Sequence, residues 1–261
     1  MKKSPFKDLA DAATEYSNQL KDQMKKANVL EKPLGLVPKS ETKPKETTEQ
    51  QDDKYEQSEI DVIMHNIFTR KCVRHYLSKD VHDSMIIRIL DAGRQAPSAG
   101  NYQPWEYIIV RNPQVREHIV ESCFTGTREN FPTDDHGEDW MLEAPVLVVV
   151  TINQRLARGV FGERGEKLYG IQSVAASIEN ILLAANAYGL GSCWVGAFAE
   201  ERVAALIGCP RYMRPCAILT IGWPADNSKK PKRHALGEFV HIEKFGRTPR
   251  EKMIRPRDQL F

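Results

Sequence analysis

A chain of 261 residues with 41% apolar content holds enough material for one sizeable domain or two small ones. Its 37 basic and 35 acidic residues nearly balance, which argues against a nucleic-acid or membrane surface over the whole chain. No apolar run approaches the roughly 20 residues that cross a bilayer, and the longest, APVLVVVTI, has the length of a strand. The five cysteines, Cys72, Cys123, Cys193, Cys209 and Cys216, form no CxxC pair, which fits reduced thiols in a cytosol and no metal cage or iron–sulfur cluster.

The first 57 residues differ from the rest. MKKSPFKDLADAATEYSNQL has two lysines but no apolar core of a signal peptide. Phe6, Leu9, Ala10, Ala13, Tyr16, Leu20, Met24 and Ala27 recur at three and four, the spacing of one helix face. Residues 31–56 are rich in Lys, Glu, Thr, Gln and Pro and bury too little to offset their ordering entropy, so they read as a tether. The helix is either a docking element for a partner or a membrane surface, using residues 1–30, or a loosely attached helix, which at this length is marginal on its own.

From Ser58 onward the pattern is globular. Ile60, Ile63, Met64, Ile67 and Phe68 make a helical stripe, followed by the polar break TRKCVRH. The spacing predicts a helix over 83–94 with Ile86, Ile89, Leu90 and Gly93 on one side, then a strand in WEYIIV closed by Asn112-Pro113. A helix is expected over 113–123, and the polar, irregular stretch 124–139 has no period. APVLVVVTI reads as a strand buried on both faces. Ile171, Val174, Ala175, Ile178, Ile181, Leu182 and Ala185 predict a long helix over 170–188 stopped by Gly189. SCWVGAF is a short strand, 200–207 a helix, 215–221 a strand, and the alternation in FVHIEKF puts His241 on a last strand. The order is too irregular for a Rossmann arrangement.

The usual chemical motifs are missing: no GxGxxG after a strand, no GxxxxGK, no GxSxG and no HExxH. His65, His75 and His118 are isolated and read as surface or structural residues. What remains is a loop of small residues, APSAGNYQPW, and two basic clusters: Arg70, Lys71 and Arg74 in TRKCVR, and Lys229, Lys230, Lys232 and Arg233 in KKPKRH. A charge run is ordinarily a solvated face, but a phosphate needs cations converging from separate segments. A loop able to approach a flat object, together with two such clusters, points to an anionic cofactor carrying the reaction.

These pieces resemble, in order, the hallmarks of the nitroreductase-like FMN flavoproteins over residues 60–246. TRKCVRHY resembles the opening Arg-Arg-Ser-x-Arg segment, and APSAGNYQPWEYIIV the second hallmark. IQSVAASIENILLAANAYGLGSCWVGAF resembles the central helix, Gly-Leu-Gly turn and strand, and KRHALGEFVHIEKFG the closing basic segment and C-terminal strand. The resemblance implies an α+β nitroreductase-like fold, a central, mostly antiparallel sheet flanked by helices, forming a homodimer with FMN at the interface. It divides the chain into residues 1–57 (helix plus tether), 58–246 (the FMN-binding domain) and 247–261 (a tail wrapping the partner subunit).

On the same resemblance Arg70, Lys71, Cys72 and Arg74 hold the FMN phosphate and ribityl chain, Arg74 also reaching the pyrimidine edge. Pro97, Ser98, Asn101 and Gln103 meet the ring from the other subunit. Trp194, Val195 and Gly196 lie along the ring, and Arg233, aided by Lys232, is a second phosphate ligand. Cys72 departs from the family's Ser and His234 from a second cation; a thiol is the weaker hydrogen-bond donor, and a histidine makes that contact pH-dependent. The implied activity is an FMN-dependent NAD(P)H oxidoreductase acting on nitroaromatic, quinone or related planar acceptors by ping-pong hydride transfer, in the cytoplasm, with NADH or NADPH as donor. The 124–140 stretch, with Phe124, Phe131 and Trp140, is the candidate lid, and Trp105 is expected in the core. Two alternatives stay open: a same-fold flavoenzyme with another reaction (dehalogenation, heterocycle oxidation or flavin cleavage), or a non-catalytic flavin-binding module that docks through its N-terminal helix.

Overall fold

The computed structural model describes residues 57–124, 138–225 and 229–248. The N-terminal helix and tether, the middle of the proposed lid with Phe131, and the tail past 248 lie outside these residues.

The sheet is built on period-two alternation. Strands β1 (Trp105–Val110), β2 (Val146–Asn153), β3 (Gly191–Val195) and β4 (Met213–Gly222) pair in the order β1-β2-β4-β3, every neighbour antiparallel. Val146, Val148, Val150 and Ile152 of β2 face one core with Ala217, Leu219 and Ile221 of β4. Leu147 and Val149 face a second core with Ile218 and Val195. Apolar side chains are thus needed on both faces, which is why β2 reads as an unbroken apolar run. A register shift between Val150 and Thr151 marks a bulge in the β2–β4 ladder.

Helices cover both faces. Helix α2 (Asp83–Arg94), capped by the His82 side chain, and α5 (Gly170–Ala187) close the first core. Gly93 lets them meet closely, since a Cβ there would sit 2.6 Å from Ile181 Cγ1. Asn180 Nδ2 donates to the Ala92 carbonyl (3.2 Å), which ties the pair further. Ile86, Ile89, Ile178 and Ile181 are wholly buried, each contributing about 1.5–3 kcal/mol by leaving water. Helix α3 (Pro113–Val120), with Asn112 Oδ1 accepting from the amides of Gln114 and Val115, and α6 (Glu200–Leu206) close the second core through Ile119, Val120 and Val203. Trp105 is in the core as expected, at 7% exposure.

Helix α1 (Gln57–Thr69) is tied to α5 by polar bonds: Asn66 Nδ2 to the Leu183 carbonyl, 3.0 Å, and Asn186 Nδ2 to Asn66 Oδ1, 2.8 Å. Much of its apolar stripe faces outward, with Ile63 61% and Phe68 54% exposed.

Four expectations need correction. The helix expected over 113–123 ends at Val120, after which Cys123 bridges Phe198. Residues 154–169, given no element above, form α4 (Gln154–Arg164) and a π-turn (Gly165–Tyr169) that runs into α5. The whole run Gln154–Ala187 is long and apolar enough to cross a membrane by composition, where none was expected. Its apolar side lies in the core, Val174, Ile178, Ile181, Leu182 and Ala185 being at most 3% exposed. Finally, 239–245 is not a strand: a 3-10 turn at Leu236–Glu238 is followed by bends, with Phe239 and Phe245 exposed. Alternation makes a strand only where a sheet edge offers its hydrogen bonds, and residues 239–245 pair with no strand among the described residues.

Candidate functional site

The segment after α1 runs extended along the β3 edge of the sheet. The Val73 amide donates to the Ser192 carbonyl (3.0 Å), Cys72 bridges Ser192 in parallel, and Leu77 N–H reaches the Trp223 carbonyl (2.8 Å). Gly191 permits this approach: a Cβ there would lie 2.7 Å from Val73 Cγ1 and 2.8 Å from its Cβ. Tyr76 pins the far end. Its buried hydroxyl donates to the Val73 carbonyl (2.6 Å) and accepts from Thr220 (2.7 Å), and burial pushes its pKa upward. Val73 points inward between the exposed Cys72 and Arg74, the alternation of a strand, and Tyr76, three residues on, is buried again where the segment leaves that period.

Cations gather on this rail. Arg70 is 16% exposed and pairs with Glu179 of α5 at 3.1 Å. The Arg74 guanidinium sits 5.5 Å from the centre of the half-buried Trp140 ring. From the other end of the domain Lys230 donates to the carbonyls of Ile67 (3.3 Å) and Phe68 (2.8 Å), closing the C-terminus of α1. Its pKa is lowered, by burial first and then by the charges of Arg70 and Arg233, with Glu179 opposing. Lys230 thus stands at the end of α1, beside the start of the rail where Arg70 meets Glu179, and Arg233 adds positive charge to its surroundings. Such a set fits a dianion: Arg offers a fork, Lys a mobile point charge, and the mutual repulsion is relieved when a phosphate arrives.

Where the predicted residues lie can now be stated. Arg70, Lys71, Cys72 and Arg74 share the rail, and Cys72 bridges β3 one residue before Cys193. Trp194 projects outward from β3, Val195 is buried and Gly196 is exposed, its Cα beside the indole Nε1. Lys232 and Arg233 are exposed, and Lys230 is the member of that run in contact with α1. Its role was invisible in the sequence, where four neighbouring cations look alike. Glu179 was missed too; position 179 lies off the apolar stripe of α5, the one hint available.

The loop 96–104 is elsewhere. Gly100, Asn101 and Gln103 all have positive φ (55°, 55° and 47°). Two of these are not glycine, and such backbones cost energy and cluster at ligand-facing loops. The loop is held by its own polar groups: Ser98 Oγ accepts from Gln103 N–H (3.0 Å), and Gln103 Nε2 donates to Asn101 O and Oδ1, both at 3.2 Å. Pro97, Asn101 and Gln103 are exposed and Ser98 half-buried. Phe161 covers Gly100, 3.0 Å from where a Cβ would stand, and packs edge-on to Tyr102 and Tyr169. The tip of the loop therefore sits at the start of α5, while Arg70 is fastened at Glu179, midway along it. Nine residues of helix lie between the two points, about 13 Å.

The family model described as "Nitroreductase family" matches residues 67–223. A putative NADH dehydrogenase/NAD(P)H nitroreductase of Methanothermobacter thermautotrophicus is 32% identical over 196 residues, covering 72% of this chain and 90% of the relative. An FMN reductase [NAD(P)H] of Bacillus subtilis is 24% identical over 70% of this chain and 74% of its own length. The crystal structure of a putative NADH dehydrogenase/NAD(P)H nitroreductase from Bacteroides thetaiotaomicron superposes with a TM-score of 0.58 at 25% identity, covering 70% of this chain and 98% of that one.

Proposed function

Because this chain belongs to the nitroreductase family, we propose that it is an FMN-dependent NAD(P)H oxidoreductase that reduces nitroaromatic, quinone or related planar acceptors. The observation that carries this reading is that Lys230, from the far end of the domain, is fastened to the carbonyls of Ile67 and Phe68 next to Arg70. Two cations from separate segments meeting there are what a terminal phosphate monoester requires.

In this reading the rail residues Arg70 and Lys71, with Lys230, Lys232 and Arg233, would hold the phosphate, and Cys72 would stand beside the sugar chain without a bond to the phosphate. Arg70, now paired with Glu179, would turn to the phosphate. Arg74 contributes a permanent positive charge beyond them, which stabilises negative charge developing on a bound ring. Trp194 and Gly196, exposed on either side of the buried Val195, would face the ring with the Val195 backbone between them. FMN supplies the hydride-accepting and hydride-donating centre itself. The protein's part is to orient the donor and then the acceptor over one face in turn, which gives ping-pong kinetics.

The loop residues Pro97, Ser98, Asn101 and Gln103 serve the site of a second copy, since within one chain the loop's tip and Arg70 meet α5 about nine residues apart. The active unit is then a homodimer of the 58–246 domain, with the 247–261 tail on the partner and residues 1–57 outside the reaction. Five unpaired cysteines suit a reducing, cytoplasmic setting.

Purified full-length protein is expected to be yellow with stoichiometric FMN. It should bleach under anaerobic NADH or NADPH and regain colour on adding a nitroaromatic or quinone. Colourless protein that refuses added FMN overturns the reading.

A further inference from the structure

Trp140 stands in the 3-10 turn Asp139–Glu143 that leads into β2, and that turn is fastened at several points. Met141 and Ala144 are wholly buried. From α3 the Arg116 guanidinium donates to the carbonyls of Leu142 (3.3 Å) and Ala144. The Glu143 carboxylate grips the rail, one oxygen accepting from the Tyr76 amide (2.9 Å) and the other meeting His75 Nδ1 (3.3 Å). The indole is half-buried and packs against two clusters at once, that of Val73, Tyr76 and Ala144 and the second core. A ring held this way belongs to the frame of the domain.

Arg74 lies on the exposed side of the rail, with its guanidinium 5.5 Å from the centre of that indole ring. A solvated arginine side chain samples many rotamers and loses entropy when it is held in one. An aromatic face offsets that cost through its negative quadrupole and by stacking with the planar fork. Arg70 makes the contrast. It is held by a carboxylate, Glu179, whose charge opposes its own. The indole is neutral, so it fixes Arg74 without subtracting from the positive charge that side chain presents beside the rail.

We propose that Trp140 is the positioning residue for Arg74, holding its guanidinium where it favours negative charge on a bound flavin ring. The inference rests on the flavin reading above and adds a residue to it. In this role Trp140 acts only through Arg74. The pull of a charge on a nearby anion weakens with distance and with the water between them. An arginine free to swing into solvent therefore loses much of its effect. A guanidinium fixed during folding has no orientation cost left at the moment charge develops.

The test compares wild type, Arg74→Met, Trp140→Leu and the double variant, each as the full chain. With FMN bound, anaerobic titration against a redox dye reads the two-electron potential. Each single variant is expected to bind reduced relative to oxidised FMN about three- to tenfold less well, a fall of about 15–30 mV at about 30 mV per factor of ten. The double variant should lie at the potential of Arg74→Met, because nothing is left to position. Trp140→Phe keeps an aromatic face and the fold, so it should fall less, and it should add nothing in the Arg74→Met background. Denaturant unfolding of the FMN-free proteins gives a second reading, in which the double variant loses less stability than the sum of the two single losses. A Trp140→Leu potential equal to wild type, shifts that add, or unfolding losses that add each overturn the inference and leave the flavin reading standing. Wild-type protein that takes up no FMN overturns that reading, and this role falls with it.

Discussion

Two anions compete for the Arg70 guanidinium. Glu179 holds it at 3.1 Å, and in the proposed complex the FMN phosphate takes it. A charged hydrogen bond of this kind is worth about 1.5–3 kcal/mol, so Arg70→Ala is expected to weaken FMN binding roughly 10- to 100-fold. Arg70→Lys should fall between, because a lysine keeps the charge and loses the fork. Fluorescence titration of the apoprotein at fixed salt reads both, and an unchanged Kd for Arg70→Ala would remove this residue from the site. Cys72 offers the opposite case. A thiolate repels a phosphate and donates nothing to it, whereas the hydroxyl of Cys72→Ser does donate. The same titration should show Cys72→Ser binding FMN about three- to tenfold more tightly, the yield of one net hydrogen bond. Equal or weaker binding means that the thiol is no obstacle there.

At the scale of elements, the site depends on how the rail meets β3 and on how the 96–104 loop holds its shape. Gly191→Ala places a methyl group within 3 Å of the stiff Val73 side chain. The rail cannot yield without releasing the Tyr76 hydroxyl bonds, so a loss of about 1–3 kcal/mol in denaturant stability is expected, along with weaker FMN binding. In the loop, Gln103 holds a φ of 47° that costs a non-glycine residue of order 1 kcal/mol. Gln103→Gly should therefore preserve or slightly raise the Tm while lowering turnover, because the amide bonds to Asn101 are lost. A matching rise in turnover would show the strain to be idle. The strands and α2 were legible in the sequence because each repeats cleanly at two or at three and four. Helix α4 was not, since Gly159 and Gly162 interrupt a polar, largely exposed stretch whose signal is the Asn153 cap alone. The 239–245 segment misled because its alternation was read without knowing which edge lay beside it. The individual ligands could be suggested from motif resemblance, but their meeting could not: Lys230 and Phe68 touch across 162 positions of chain, and no local pattern encodes such a contact.

For the whole molecule, the surface and the split site argue together. Ile63, Phe68, Phe239 and Phe245 are all more than half exposed, a set of large apolar side chains that a stable monomer rarely shows water in such number. The cationic rail and the tip of the 96–104 loop meet α5 about nine residues apart, so a two-fold arrangement is the economical way to make one site from both. Phe68→Asp should shift the protein toward monomer in sedimentation and loosen FMN as the loop is lost. A sharper experiment separates the two halves genetically. Arg70→Ala removes the phosphate fork, and a second variant, Asn101→Ala with Gln103→Ala, removes the ring-facing amides; each homodimer has two damaged sites. Mixed and allowed to exchange, half of the dimers are hybrids. In each hybrid one site carries both lesions and the other carries neither, so about a quarter of all sites recover full FMN affinity and turnover. If both groups served one site within one chain, mixing would restore nothing, because every site would keep the lesion of its own subunit. The recovered fraction therefore reads directly whether the loop crosses from one copy to the other.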